Sequence, residues 1–182
     1  MGTVIVTGVP GVGKTTVVTR AAKKAGLEIV VYGTEMFNIA SQRGLVKDRD
    51  EMRKLEPAVQ REVQRAAAKA IAARGRVVVD THCMIQTPRG FLPGLPEWVV
   101  RGLEPDTIVL IETDPAAIAK RRQGDATRAR DADSAQMIEL HQHLNRGAAA
   151  AVATLTGATV AIVRNEDGRV DQAVAELTAV LG

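Results

Sequence analysis

Aromatic side chains are nearly missing from this chain: Phe, Trp and Tyr together make up 2% of its 182 residues. An apolar interior must therefore be assembled from Val, Ile, Leu and Ala. The stacking platforms that usually bind single-stranded nucleic acid are also scarce. The one cysteine, Cys83, excludes an intrachain disulfide framework and a cysteine-rich zinc site, and packing is role enough for it. No apolar run approaches the ~18 residues of a membrane span, and no charged leader precedes an apolar stretch. These absences lead to the expectation of a cytoplasmic protein with no membrane partner. Charge of one sign is in short supply too. Lys and Arg number 24 and Asp and Glu 21, a net +3. This suits phosphate-bearing small molecules and argues against nucleic acid as an obligatory partner.

What is present reads as one globular domain over residues 1–182, with 46% hydrophobic and 25% charged residues. Short β-branched runs at residues 4–7, 29–31, 77–80, 107–111 and 159–163 predict five buried strands. Helical patterns fall between them: from Lys14 to a cap at Gly26, over 34–43, over 57–74, from Pro115, over 134–153 and over 170–181. In the 57–74 segment, Pro57 suits the first turn, and Val59, Val63, Ala66, Ala67 and Ala70 are expected to line one face. Alternation of this kind predicts an α/β fold, a parallel five-stranded sheet covered on both faces. Two segments lack a regular period, the Pro- and Gly-rich residues 87–96 and the charged residues 120–131. Long irregular segments in compact domains are usually functional loops or lids.

Residues 8–15, Gly8-Val9-Pro10-Gly11-Val12-Gly13-Lys14-Thr15, match G-x-x-x-x-G-K-[ST] with a strand before and a helix after. Glycines let such a loop turn successive N–H groups inward onto phosphate oxygens, and the helix N-terminus adds partial positive charge. Lys14 is expected at the β- and γ-phosphates of ATP, Thr15 at Mg²⁺ and Thr16 at the α-phosphate. Asp80 ends a valine run at the end of a strand, the place of a magnesium-holding carboxylate. Two further absences sharpen this reading. No Glu follows Asp80, so the water-activating base of motor-type ATPases is missing there, and the guanine-reading pattern N-K-x-D is nowhere in the chain. Both favour transfer to an acceptor over hydrolysis.

Phosphoryl transfer needs cationic groups around the moving phosphoryl. Residues 120–131 supply Lys120, Arg121, Arg122, Arg128 and Arg130, whose guanidinium forks pair two phosphate oxygens at once. This stretch reads either as a lid or as a solvated turn. In residues 47–54, Arg53 is either an acceptor-phosphate ligand or part of a solvated helix face carrying an Asp50–Lys54 pair. His82, two residues past Asp80, could touch a phosphate or the acceptor base, or simply pack. His141 and His143, two apart on a helix, should point in different directions.

Taken in order, residues 6–16, 47–55, Asp80-Thr81-His82, 87–96 and 125–130 resemble the archaeal-type adenylate kinases. The likeness runs along nearly the whole chain. It implies the reaction ATP + AMP ⇌ 2 ADP with Mg²⁺, an AMP-binding helical region at 34–74, a lid at 121–133 and a homotrimer. It implies Arg53, His82 and Arg89 near AMP, and Arg121, Arg128 and Arg130 near the transferred phosphoryl group. Gln86, Arg89 and Gly124 depart from the family pattern. The resemblance leaves two rivals: a kinase of another nucleoside monophosphate, and a nucleotide-dependent RNA or ribosome-assembly protein.

Overall fold

A computed structural model describes residues 2–124 and 134–182. In chain order the elements begin with β1 (Thr3–Thr7), α1 (Lys14–Ala25), β2 (Ile29–Val31) and α2 (Tyr32–Gln42). A 3-10 turn (Glu51–Lys54), α3 (Pro57–Ala72), β3 (Val78–Asp80), β4 (Met84–Thr87), β5 (Gly90–Pro93) and α4 (Glu97–Leu103) follow. The chain ends with β6 (Pro105–Glu112), α5 (Pro115–Gly124), α6 (Ala135–Thr156), β7 (Thr159–Arg164) and α7 (Val170–Leu181).

The expected five-stranded sheet is present, entirely parallel, in the order β2-β3-β1-β6-β7. Strand alternation divides its side chains between two cores. Val4, Val6, Val109 and Ile111 pack towards α1 and α7 with Val17, Ala21, Val174 and Leu177. Ile5, Val79, Ile108 and Leu110 pack towards α3, α4 and α6 with Ala67, Ile71, Val99 and Val152. Each fully buried Val, Ile or Leu contributes about 1.5–3 kcal/mol, which is how the sheet holds together with so few aromatic rings. A smaller cluster of Ala40, Val46 and Val63, with Phe37 and Met52 against it, joins α2 to α3.

Several expectations need correction. The segment 87–96, read as irregular, forms the tip and second strand of a hairpin, with β4 antiparallel to β5 and Thr87 opposite Gly90. Its four-residue strands are too short to show a period between Pro and Gly, and tertiary contacts hold them. Asn145 Oδ1 accepts from the Met84 N–H (3.1 Å), and the Gly94 N–H donates to the Cys83 carbonyl (2.8 Å). Helix α4 was not foreseen. The buried face of α3 is Val63, Ala67, Ala68 and Ile71, rotated from the expected one because α4 also covers it. The helix expected over 134–153 runs on to Thr156, and its first turn is capped by the Ser134 hydroxyl, which accepts from the Met137 N–H (3.2 Å).

Gly102 lies inside α4, where glycine ordinarily costs helix stability. Its reason is the crossing with α3: a Cβ on Gly102 would stand 2.8 Å from the Ala68 Cβ. Gly102→Val should therefore lower unfolding free energy by about 2 kcal/mol through overpacking, measured by urea denaturation. Unchanged stability would mean that α3 and α4 separate freely.

Candidate active site

The site forms at the carboxyl ends of the central strands. Strand β1 is buried along its whole length and delivers the chain into the loop 8–13. The loop is anchored by Val9 and Val12, both buried against the first core. Gly11 and Gly13 take φ values of 88° and 86°, a region that side-chain-bearing residues rarely enter. Helix α1 then starts at Lys14, with no acidic residue in its first turn. The Thr15 and Thr16 side chains are exposed there. An N-terminus with free N–H groups, exposed hydroxyls and no acidic residue of its own is suited to an anion.

Parallel pairing sets Val6 beside Asp80, so the end of β3 lies next to the start of the loop. The Lys14 ammonium forms an ion pair with the Asp80 carboxylate and donates to the Thr81 carbonyl (2.9 Å). Side-chain exposures of 11% for Lys14 and 18% for Asp80 make this a largely buried pair. Two residues on, His82 is open to solvent on one side. Crowding on its other side, then the Lys14 ammonium, lowers its pKa below the usual histidine range, while Asp80 opposes them. Its neighbour Cys83 is buried, and burial pushes the thiol up to about 11, in keeping with a packing role.

The outer side of the loop is held by residues that sequence reasoning placed elsewhere or missed. Arg121 belongs to the last turns of α5. Its Nη1 donates to the Val12 carbonyl (3.1 Å), its Nη2 to the Asn165 carbonyl (3.0 Å) and its Nε to Asp167 (2.8 Å). Arg122 donates from Nε and Nη2 to the Pro10 carbonyl (2.9 and 2.7 Å). Asn165, just past β7, donates from Nδ2 to the Val12 carbonyl (2.7 Å). No local sequence signal marks Asn165, because only the strand order brings residue 165 to residue 12.

The other candidates are more scattered. Arg53 sits exposed on the 3-10 turn and Arg89 exposed at the β4–β5 tip. Neither guanidinium has a partner among the described residues, and the Asp48 carboxylate caps the turn by accepting from the Asp50 and Glu51 N–H groups. Arg128 and Arg130 lie outside the described residues. His141 points inward, with Nε2 2.9 Å from the Met84 carbonyl and its ring edge-on to Phe91. His143 instead lines a separate polar cavity of about 370 Å³ beside Arg146 and Arg164, so the two histidines diverge as their spacing predicted.

The sheet and the cradle together define a P-loop nucleotide-binding protein. Comparison with known proteins narrows the class. A family model described as an AAA domain matches residues 7–139. The chain is 52% identical to the adenylate kinase of Methanothermobacter thermautotrophicus, covering 100% of both chains. It is 56% identical to that of Methanopyrus kandleri, over 97% of this chain and 96% of the relative. It is 50% identical to that of Thermoplasma acidophilum, over 97% of each. The chain belongs to the adenylate kinase family. Among solved structures, a shikimate kinase from Bacteroides thetaiotaomicron shares the fold at TM-score 0.60 and 17% identity, covering 99% of this chain and 98% of that one. A gluconokinase from Sinorhizobium meliloti shares it at 0.56 and 18%, covering 99% and 91%.

The Lys14–Asp80 pair makes a stability prediction. Removing one partner of a fully buried pair costs about 3–5 kcal/mol, because the other charge is left uncompensated. For this slightly exposed pair, Lys14→Ala should cost about 2 kcal/mol without nucleotide. Asp80→Asn should restore much of that loss in the double variant, which urea unfolding of the two single variants and the double variant measures. Strict additivity would mean that the two charges do not interact.

Proposed function

We infer that this protein is an adenylate kinase that transfers the γ-phosphoryl group of ATP to AMP, reversibly, giving two ADP. The observation that carries this reading is the built cradle of residues 8–16 in a chain matched over its full length by adenylate kinases. The donor nucleotide binds with its phosphates in the loop of Gly8, Val9, Gly11, Val12 and Gly13, with Pro10 shaping the turn and the Val12 N–H closing it onto the Val9 carbonyl (3.2 Å). Lys14 lies at the β- and γ-phosphates, and Thr16 is near the α-phosphate. Lys14 exchanges Asp80 for the phosphates, so the cation tracks the anion that arrives.

Magnesium suits the oxygen donors here, the exposed Thr15 hydroxyl and the Asp80 carboxylate, which are hard ligands of the right kind. Thr15 would hold it directly and Asp80 through water, and the ion would neutralise charge on the phosphate oxygens. AMP docks on the side of the helical region 34–74, with Arg53, His82 and Arg89 as its contacts. An AMP phosphate oxygen attacks the γ-phosphorus in line. The bond from that phosphorus to the β-bridging oxygen breaks, and ADP leaves. The attacking oxygen is already anionic, so no strong base is required. The segment 121–133 acts as a lid, with Arg121, Arg128 and Arg130 supplying positive charge and excluding water. A cytoplasmic homotrimer is part of the same reading, carried by the family resemblance.

A coupled assay with ATP and, separately, AMP, CMP, UMP, GMP and dTMP tests the acceptor. AMP should be used at least about tenfold more efficiently than the others, the size of one base-reading hydrogen-bond difference. Transfer to CMP or dTMP with none to AMP would identify a different monophosphate kinase. Slow ATP hydrolysis with no acceptor, together with salt-sensitive RNA binding, would favour the RNA-dependent reading.

A further inference from the structure

The nucleotide loop of this protein is held from behind. Two of its carbonyls, those of Pro10 and Val12, accept hydrogen bonds from side chains outside the loop. In a planar trans peptide the C=O and the N–H of one unit point in opposite directions, and the described chain has no cis peptide. Pinning the Val12 carbonyl outward therefore turns the Gly13 N–H inward. Pinning the Pro10 carbonyl does the same for the Gly11 N–H. Two of the loop's phosphate-facing donors are thus set by groups that stand behind the loop.

Asn165 is the best placed of these groups. It is 6% exposed, and its Nδ2 stands 2.7 Å from the Val12 carbonyl. Its own N–H donates to the Glu112 carbonyl (2.8 Å), and its carbonyl accepts from Arg121 Nη2 (3.0 Å). It therefore cannot drift from the end of β7. It also fills the space behind Gly13: a Cβ on Gly13 would lie 2.4 Å from Asn165 Nδ2. The residue just past the edge strand thus presses on the glycine that closes the loop.

We propose that Asn165 is a positioning residue for the donor nucleotide, holding the Gly13 N–H on the phosphates through the Val12 carbonyl, a role that rests on the cradle being the ATP site. Asn165→Asp tests this because it keeps the shape and removes the donor, leaving a carboxylate oxygen facing a carbonyl oxygen. Calorimetric titration of ATP and of AMP, separately, into wild type and N165D should show ATP binding weakened about tenfold and AMP binding within twofold of wild type. A general loss of structure would weaken both, and N165D binding ATP as wild type does would overturn the proposal. If N165D is too unstable to titrate, N165A removes the same donor without adding charge and is read by the same two outcomes. Wild type binding no ATP at all would overturn the donor-site reading itself, and this proposal with it.

Discussion

Backbone hydrogen bonds between β1 and its parallel neighbours β3 and β6 set where the charges of this molecule stand. Parallel pairing brings strand ends to the same edge, so the turn after β1 and the carboxylate ending β3 become neighbours although 66 residues separate Lys14 from Asp80. Extending the sheet by β7 carries Asn165 to the back of the same turn. The loop is thus enclosed by an acid on one side and hydrogen-bond donors on the other. A shift of register would separate all of these groups together.

The ion pairs of this molecule differ in consequence. Arg20 and Asp171 form an ion pair at side-chain exposures of 43% and 83%, where water screens it and its worth is at most about 1 kcal/mol. The Lys14–Asp80 pair is largely desolvated, so neither charge is comfortable alone. A cation already partly stripped of water and placed at a helix N-terminus is prepared for an incoming phosphate. The Glu112–Arg146 pair is different again. Its bonds of 2.8 and 2.6 Å tie α6 to the end of β6, and the carbonyl of the same Glu112 anchors Asn165. Structural and functional electrostatics meet at that residue.

How much of this was readable from residues alone depended on range. The strand-loop-helix of residues 3–25 is a local pattern, and its elements were plain. The five strands were plain because β-branched runs need no partner to be seen, even at the sheet edge, where β7 is mostly exposed. The β4–β5 hairpin and α4 were hidden, since each is short and held by contacts with α6 or α3. The charged neighbours of Arg121 read as one stretch, whereas in the structure α5 continues through it and its guanidinium bonds the Val12 and Asn165 carbonyls and Asp167. Asn165 was invisible for a related reason: its role exists only after β7 has paired with β6. Arg53 and Arg89 stand exposed on separate segments, and the residues alone left the Arg53 role open.

The fate of the phosphorus decides whether this cradle serves transfer. Phosphorus-31 NMR of the protein with magnesium, ATP and AMP follows every phosphate at once. Transfer predicts that two ADP appear for each ATP consumed, that ADP alone regenerates ATP and AMP, and that inorganic phosphate stays at background. Inorganic phosphate accumulating at the same rate whether or not AMP is present would contradict it.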